Sequence, residues 1–195
     1  MNRKGEKERD ARVSSLTMPV AELLGHPGEY RDVRLVEPLE GVRNTLARLA
    51  TEPVSGDLRA ESVIEGILVT GSVSGTTLVQ CARCLREFDS QVAVDLCELF
   101  VGPGHEVRDS EADDTYRVAG SEIKLEPMLR DAITLALPLH PLCRADCKGL
   151  CAQCGADLNE GECSCSEDET DPRWAPLEKL RARLEEDAQG PARSA

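Results

Sequence analysis

The sequence is poor in aromatic residues, in histidine and in long apolar runs. Phe, Trp and Tyr make up 3% of the 195 residues, and the chain has three histidines. Aliphatic side chains and cysteines must therefore supply most of the core, and such a core is often reinforced by a metal. No stretch approaches the roughly 20 apolar residues of a membrane-spanning helix, and the first ten residues are mostly charged, unlike a secretory signal. These absences predict a soluble, cytoplasmic protein.

Positive charge is also scarce. The chain has 23 Lys and Arg against 36 Asp and Glu, which gives a net charge of -13. Because the neutralisation of phosphates by cations dominates non-specific binding to nucleic acids, the average charge disfavours naked RNA and favours basic proteins as partners. One set of cations near the cysteines leaves a direct RNA contact open, although ordinary surface charge is the simpler interpretation: Arg83, Arg86, Arg130, Arg144 and Lys148.

Cysteine, in contrast, is abundant. A reducing cytoplasm and an odd number of nine cysteines favour metal binding over disulfides. Eight of them form close pairs, and two pairs complete the tetrahedral set of thiolates that structural zinc prefers. We expect one site to combine Cys81 and Cys84 with Cys143 and Cys147, and a second to combine Cys151 and Cys154 with Cys163 and Cys165.

A competing arrangement stays open at this point. It joins Cys143, Cys147, Cys151 and Cys154 around one zinc ion and leaves Cys81 and Cys84 without metal. The sequence therefore predicts one or two structural zinc ions. The ninth cysteine, Cys97, is expected to be a small buried apolar residue.

Enzymatic chemistry finds little support in the motifs. The spacing of Cys147, Cys151 and Cys154 matches the iron–sulfur motif of radical enzymes that use S-adenosylmethionine, but too few residues follow it for their barrel. The Cys81–Cys84 spacing matches thiol oxidoreductases, which place the pair at a helix N-terminus, whereas strands flank it here. The histidines, His26, His105 and His140, fall in loop-like segments, and no catalytic triad or phosphate-binding glycine loop is evident. We expect no enzyme.

The apolar periodicity predicts a mostly antiparallel sheet. Alternation over residues 58–64 and again over 67–73 predicts a β-hairpin, and residues 88–96 predict a further strand. Glu126 and Pro127 open a helix with an apolar stripe at Leu129, Ile133 and Leu137. A last helix begins at Asp171 and carries a stripe of Trp174, Leu177, Leu180 and Leu184.

The predicted fold class is α+β: a mostly antiparallel β-sheet body with a zinc-stabilised cysteine-rich segment and a C-terminal helix. The predicted organisation is a disordered charged tail at 1–14, an α+β body at 15–140, a zinc-binding segment at 141–170, an amphipathic helix at 171–188 and a tail at 189–195.

Several motifs in combination resemble a known family. They are Cys81-Ala-Arg-Cys84-Leu85, the helix end Ala136-Leu137-Pro138-Leu139, Cys147-Lys-Gly-Leu-Cys151-Ala-Gln-Cys154-Gly, and Asp171-Pro172-Arg173-Trp174. Together they resemble the YceD family of bacteria and plastids, the large ribosomal RNA subunit accumulation proteins.

The resemblance implies a non-enzymatic factor for the accumulation of large-subunit ribosomal RNA and for ribosome assembly. It acts by binding, with a ribosomal protein or a large-subunit assembly intermediate as partner. A zinc-dependent or thiol-redox enzyme, and a regulator that senses zinc or oxidation, are the alternatives.

Overall fold

The computed structural model describes residues 16–105, 115–165 and 172–174 and the single positions 177, 180, 181 and 184. The predicted tails at 1–14 and 189–195 lie outside these residues. The chain divides into two compact units at the junction of Gly149 and Leu150. This junction falls within the predicted zinc-binding segment and assigns Cys143 and Cys147 to the first unit.

A five-stranded antiparallel sheet forms the body of the first unit. Its strands are β2 (Tyr30–Glu37), β3 (Ala47–Leu49), β4 (Val54–Val63), β5 (Gly66–Gln80) and β6 (Glu87–Val101). Strand β5 is at the centre: β3 and β4 pair with successive parts of one edge of β5, β6 pairs with the other edge, and β2 lies outside β4. The predicted hairpin is β4–β5, and the predicted further strand is β6.

The alternating sequence of β5 gives the sheet one buried and one solvent-facing side. Ile67, Val69 and Val73 point into the core, whereas Ser72 and Ser74 are exposed on the opposite face. At Gly71 the chain passes so close to β4 that an added Cβ would collide with the carbonyl oxygen of Asp57. A residue without a side chain is therefore required at this point of the pairing between β4 and β5.

The core lies between the buried face of the sheet and a short helix. Helix α1 (Leu125–Ala136) follows a two-stranded pair formed by β1 (Thr17–Pro19) and β7 (Glu122–Lys124). It buries Leu125, Met128, Leu129 and Ile133, so the predicted apolar stripe is confirmed. The backbone N–H of Leu137 donates to the carbonyl of Ile133, and Pro138 prevents a further turn.

The described residues of the second unit form a compact turn and, farther along the chain, helical structure. Leu150 and Asp157 form an isolated antiparallel bridge, and a single 3₁₀ turn spans Pro172–Trp174. Positions 177, 180, 181 and 184 are helical. The predicted stripe of Trp174, Leu177, Leu180 and Leu184 is exposed.

The α+β class and the mostly antiparallel sheet are confirmed. None of the described helices is long and apolar enough to cross a membrane.

Candidate metal centres

Four thiols of the first unit converge at the turn that joins β5 to β6. Cys81 and Cys84 lie on the turn between β5 and β6, and Cys143 and Cys147 lie on the segment after α1. The Cys81 and Cys147 sulfurs are 3.8 Å apart, those of Cys84 and Cys143 are 3.6 Å apart, and all four lie within 4.8 Å of one another. Four Zn–S bonds of about 2.3 Å in a tetrahedron place the sulfurs about 3.8 Å apart. The spacing therefore fits zinc.

The segment that carries Cys143 and Cys147, residues 138–149, is held to the β5–β6 turn by protein contacts as well. We call it the strap. Arg83 donates through Nη1 to the carbonyl of Cys147 at 2.7 Å, and the Ala82 N–H donates to the carbonyl of Pro141 at 2.8 Å. At Gly149 an added Cβ would lie 3.1 Å from the carbonyl oxygen of Arg83. The strap and the turn are therefore fitted to each other over several residues.

A second set of four thiols lies within the second unit. Cys151 and Cys154 share a turn, and Cys163 and Cys165 bring their sulfurs to it, so that all four lie within 4.8 Å of one another. Asp157 accepts the backbone N–H of Asn159 at 2.9 Å in the connection between the two pairs. None of these cysteines is fully buried, in contrast to Cys81, Cys84 and Cys147 of the first set.

The two cysteine turns have the same backbone hydrogen bonds. In the first, the N–H of Cys81 donates to Arg86 O and the N–H of Leu85 donates to Cys81 O. In the second, the N–H of Cys151 donates to Ala156 O and the N–H of Gly155 donates to Cys151 O. Leu85 and Gly155 have positive φ angles of 60° and 74°. Both pairs thus project from one type of turn, which leaves backbone amides directed at the sulfurs.

Those amides favour one thiolate in each set. Burial alone would raise the pKa of the Cys81 thiol, but hydrogen bonds from the backbone of Cys84, Cys143 and Arg83 lower this pKa to about 6. In the second set, backbone hydrogen bonds from Cys154 and Gln153 lower the pKa of Cys151 to about 6.

Another thiol of each set resists ionisation. Burial, followed by the neighbouring thiol of Cys84, raises the pKa of Cys143 to about 12. The neighbouring thiol of Cys154, followed by burial, raises the pKa of Cys165 to about 12. Since four adjacent thiolates repel one another, a divalent cation is the group that would let all four ionise together.

Comparison with known proteins places the chain in a family. The family model described as "Large ribosomal RNA subunit accumulation protein YceD" matches residues 69–181. This range contains both sets of four cysteines and more than half of the chain. The chain belongs to the YceD family.

Relatives of the chain resemble it over different lengths. An uncharacterized protein of Mycobacterium tuberculosis is 38% identical over 177 residues, which cover 86% of this chain and 82% of the relative. Protein YlbN of Bacillus subtilis is 27% identical over 153 residues, covering 78% of this chain and 87% of YlbN. The chloroplastic YCED homolog 1 of Arabidopsis thaliana is 35% identical over 65 residues, covering 33% of this chain and 20% of that protein. No solved structure matches the chain.

The structure groups the eight candidate cysteine ligands into the same two sets of four as the first of the two predicted arrangements. The competing arrangement does not match, because Cys143 and Cys147 lie with Cys81 and Cys84. The iron–sulfur motif is divided in the same way, with Cys147 in one set and Cys151 and Cys154 in the other. That the sets bind zinc stays a prediction.

Two further sequence expectations concern single residues. Cys97 is exposed, so its predicted burial is wrong. It follows the buried Leu96 directly, and adjacent residues of a strand face opposite sides of the sheet.

Among the described residues, neither set includes a histidine or a carboxylate, and His140 is exposed. Three of the five cations contact protein groups: Arg83 donates to the strap, Arg130 to Glu126 and the carbonyl of Glu40, and Arg144 lies 3.4 Å from Asp146.

Proposed function

We propose that this protein supports the accumulation of large-subunit ribosomal RNA by binding during ribosome assembly, as a non-enzymatic cytoplasmic factor with two structural zinc ions. Membership of the YceD family supports the ribosomal role, since homologs from Arabidopsis and maize are named for this accumulation. The observation that carries the structural part is the joining of β5–β6 to the strap by four converging thiols.

The chemistry of the donors favours zinc in a structural role. Thiolates are soft ligands that select zinc among the abundant divalent ions, and four of them leave no coordination position for water or substrate. A catalytic zinc usually keeps such a position and uses histidine. The short S–S distances and the amides directed at Cys81 and Cys151 suit a closed tetrahedral site.

The partner is a basic component of the large subunit, either a free ribosomal protein or an assembly intermediate. The net charge of -13 supports this proposal, because it steers cationic proteins toward the chain and repels exposed phosphate. Arg83 and Arg130 each donate to a backbone carbonyl of the protein, which leaves less basis for a direct RNA contact by these two cations.

The test is a sucrose-gradient profile of cells depleted of this protein, with both ribosomal RNAs quantified across it. We expect a selective loss of large subunits and their RNA that the wild-type chain restores. A Cys81→Ser, Cys84→Ser variant that is expressed at the normal level should not restore it, whereas Cys97→Ser should, because the exposed Cys97 belongs to neither set. A normal profile in depleted cells would contradict the proposed role.

A further inference from the structure

Strand β6 has one paired and one open edge. Every residue from Glu87 to Val101 pairs with β5 in a continuous antiparallel register. At the end of the strand, Val101 directs its backbone away from β5: its N–H donates to Tyr116 O at 2.9 Å, and its carbonyl accepts the N–H of Val118 at 3.0 Å. The outer edge of β6 therefore already accepts a short extended segment of the chain, in parallel orientation.

The rest of this edge offers the same backbone groups. In an antiparallel ladder the backbone groups of successive residues face alternate edges, so the odd-numbered positions share the outward direction of Val101. They are Asp89, Gln91, Ala93, Asp95 and Cys97, all of them exposed. Within the described parts of the chain, their outward N–H and C=O groups have no hydrogen-bond partner. Five donors and five acceptors are thus available over about 30 Å of strand.

The usual devices that protect an exposed edge are missing, apart from negative charge. The stretch from Glu87 to Val101 contains no proline, lysine or arginine, and no bulge interrupts its pairing. Its exposed acids are Glu87, Asp89, Asp95 and Glu98, of which Glu87 contacts Arg48 at 3.2 Å. A second copy of this edge would meet like charges, whereas a cationic strand would find opposite charges across the pair.

The opposite edge of the sheet lacks this charge pattern. The carbonyl of Glu29 accepts the N–H of Ser62 on β4, so the even positions of β2 face outward. Here Asp32 is neutralised by Arg59 at 2.7 Å, and Arg34 adds a positive charge. Of these two edges, as far as the described residues show, the edge of β6 is the one that combines a long free backbone with acidic side chains and no cation of its own.

We propose that the edge of β6 from Asp89 to Cys97 binds an extended, lysine- or arginine-rich segment of a partner protein as an additional strand. The backbone groups supply affinity, and the acids select a cationic segment. This inference rests on the proposed function for the choice of a basic protein as partner. The edge should not bind RNA, because the same acidic side chains repel phosphate groups.

The direct test is amide hydrogen exchange by NMR on the full-length zinc-loaded protein. The probe is a nine-residue peptide of alternating lysine and threonine, and its control replaces each lysine by glutamate. We expect the lysine peptide to slow exchange at least about tenfold at positions 89, 91, 93, 95 and 97, while the even positions are already protected by β5. Protection without this alternation, equal binding of the glutamate peptide, or protection of these amides by an oligouridine probe alone would overturn the proposal.

A proline variant tests the backbone contribution. Ala93→Pro removes an outward N–H but no bond to β5, and an edge position tolerates proline on these terms. Val36→Pro on the outward-facing edge of β2 is the matched control. We expect Ala93→Pro to weaken binding of the lysine peptide at least about tenfold and Val36→Pro to leave it unchanged. Equal binding by both folded variants would overturn the proposal.

Charge reversal keeps the test valid where the proline variant fails to fold. Asp89→Lys with Asp95→Lys should weaken binding of the lysine peptide at least about tenfold, since two attractive cross-strand pairs become repulsive. Glu52→Lys with Glu65→Lys makes the same change in net charge in exposed loops and should have a much smaller effect. Equal loss in both pairs would overturn the proposal. The peptide assay does not measure ribosomal RNA, so a negative result would not contradict the proposed function. Conversely, a normal gradient profile would not contradict peptide binding at the edge of β6.

Discussion

Leu85 and Gly155 occupy equivalent positions in the two cysteine turns, both with a positive φ angle. Such a conformation costs a residue with a side chain about 1 kcal/mol, whereas glycine adopts it freely. We predict that Gly155→Leu weakens zinc binding at the second set roughly fivefold, measured by competition with a chelating dye. Gly161→Leu is the control, because Gly161 lies in the same unit without a positive φ and with open space around it. Equal affinities in both variants would show that the turn conformation does not matter.

The complementary change tests the first turn. Leu85→Gly removes the conformational cost at Leu85 but adds chain entropy to the unfolded state, and the two effects are of similar size. Leu85 is half exposed, so little packing is lost. We predict a free energy of unfolding within about 0.5 kcal/mol of the wild type, measured by urea denaturation. A loss of several kcal/mol would mean that the Leu85 side chain has a role in the turn that its exposure does not indicate.

Individual cysteines decide the number of zinc ions. Because each set supplies four thiols to one ion, we predict two zinc ions per chain in the wild type and about one after Cys81→Ser or Cys163→Ser. Cys97→Ser should keep two, since Cys97 lies in neither set. Elemental analysis of purified protein measures this directly. One ion in the wild type, or loss of both ions in either single variant, would contradict two independent sites.

At the scale of elements, the strap depends on one side chain that crosses to it. Arg83 donates to the carbonyl of Cys147, and hydrogen bonds from charged donors contribute about 1 kcal/mol or more. We predict that Arg83→Gln lowers the free energy of unfolding by about 1 kcal/mol and speeds amide exchange at Ala82, whose N–H bonds to Pro141. Arg34→Gln, an exposed change on β2, should do neither. Unchanged exchange at Ala82 in Arg83→Gln would show that the thiols alone hold the strap.

The elements also show what the sequence could predict. The β4–β5 hairpin and helix α1 have strong periodicity, so their pattern alone identifies them. Strand β1 has three residues and gains its identity from pairing with β7 more than 100 residues later, which no local pattern contains. The parity of Cys97 in β6 was visible in the sequence. Free cysteines are usually buried, which is why burial is the expectation, but the strand geometry places Cys97 on the exposed face of the sheet.

The candidate site shows the same division. Close spacing identifies each pair of cysteines, because a tight turn is a local feature. The joining of Cys81 and Cys84 to a pair about 60 residues later depends on how the strap returns to the sheet, so the sequence left two arrangements open. The Arg83 bond and the fit of Gly149 had no sequence signal, since each is defined only by the partner that it meets.

At the scale of the whole molecule, the two units reach stability by different means. The first has a continuous core of aliphatic side chains between sheet and helix. In the second, residues 150–165 include no fully buried residue and contain four thiols. A segment of this size cannot offset its ordering entropy by apolar burial alone. Metal binding would therefore be a larger share of the folding free energy in the second unit than in the first.

Removal of metal should consequently unfold the protein in part and not uniformly. Structural zinc contributes on the order of 10 kcal/mol per site in apparent terms. We predict that a strong chelator at neutral pH lowers the melting temperature by at least about 10 °C and abolishes amide protection at Cys151 and Gly155, while Val69 and Val73 in the aliphatic core stay protected. Zinc should restore the protein and magnesium should not, because thiolates bind magnesium poorly. If the chelator changed neither the melting temperature nor the exchange pattern, the metal would have no structural role. A redox function would then be the better explanation of the two sets of thiols.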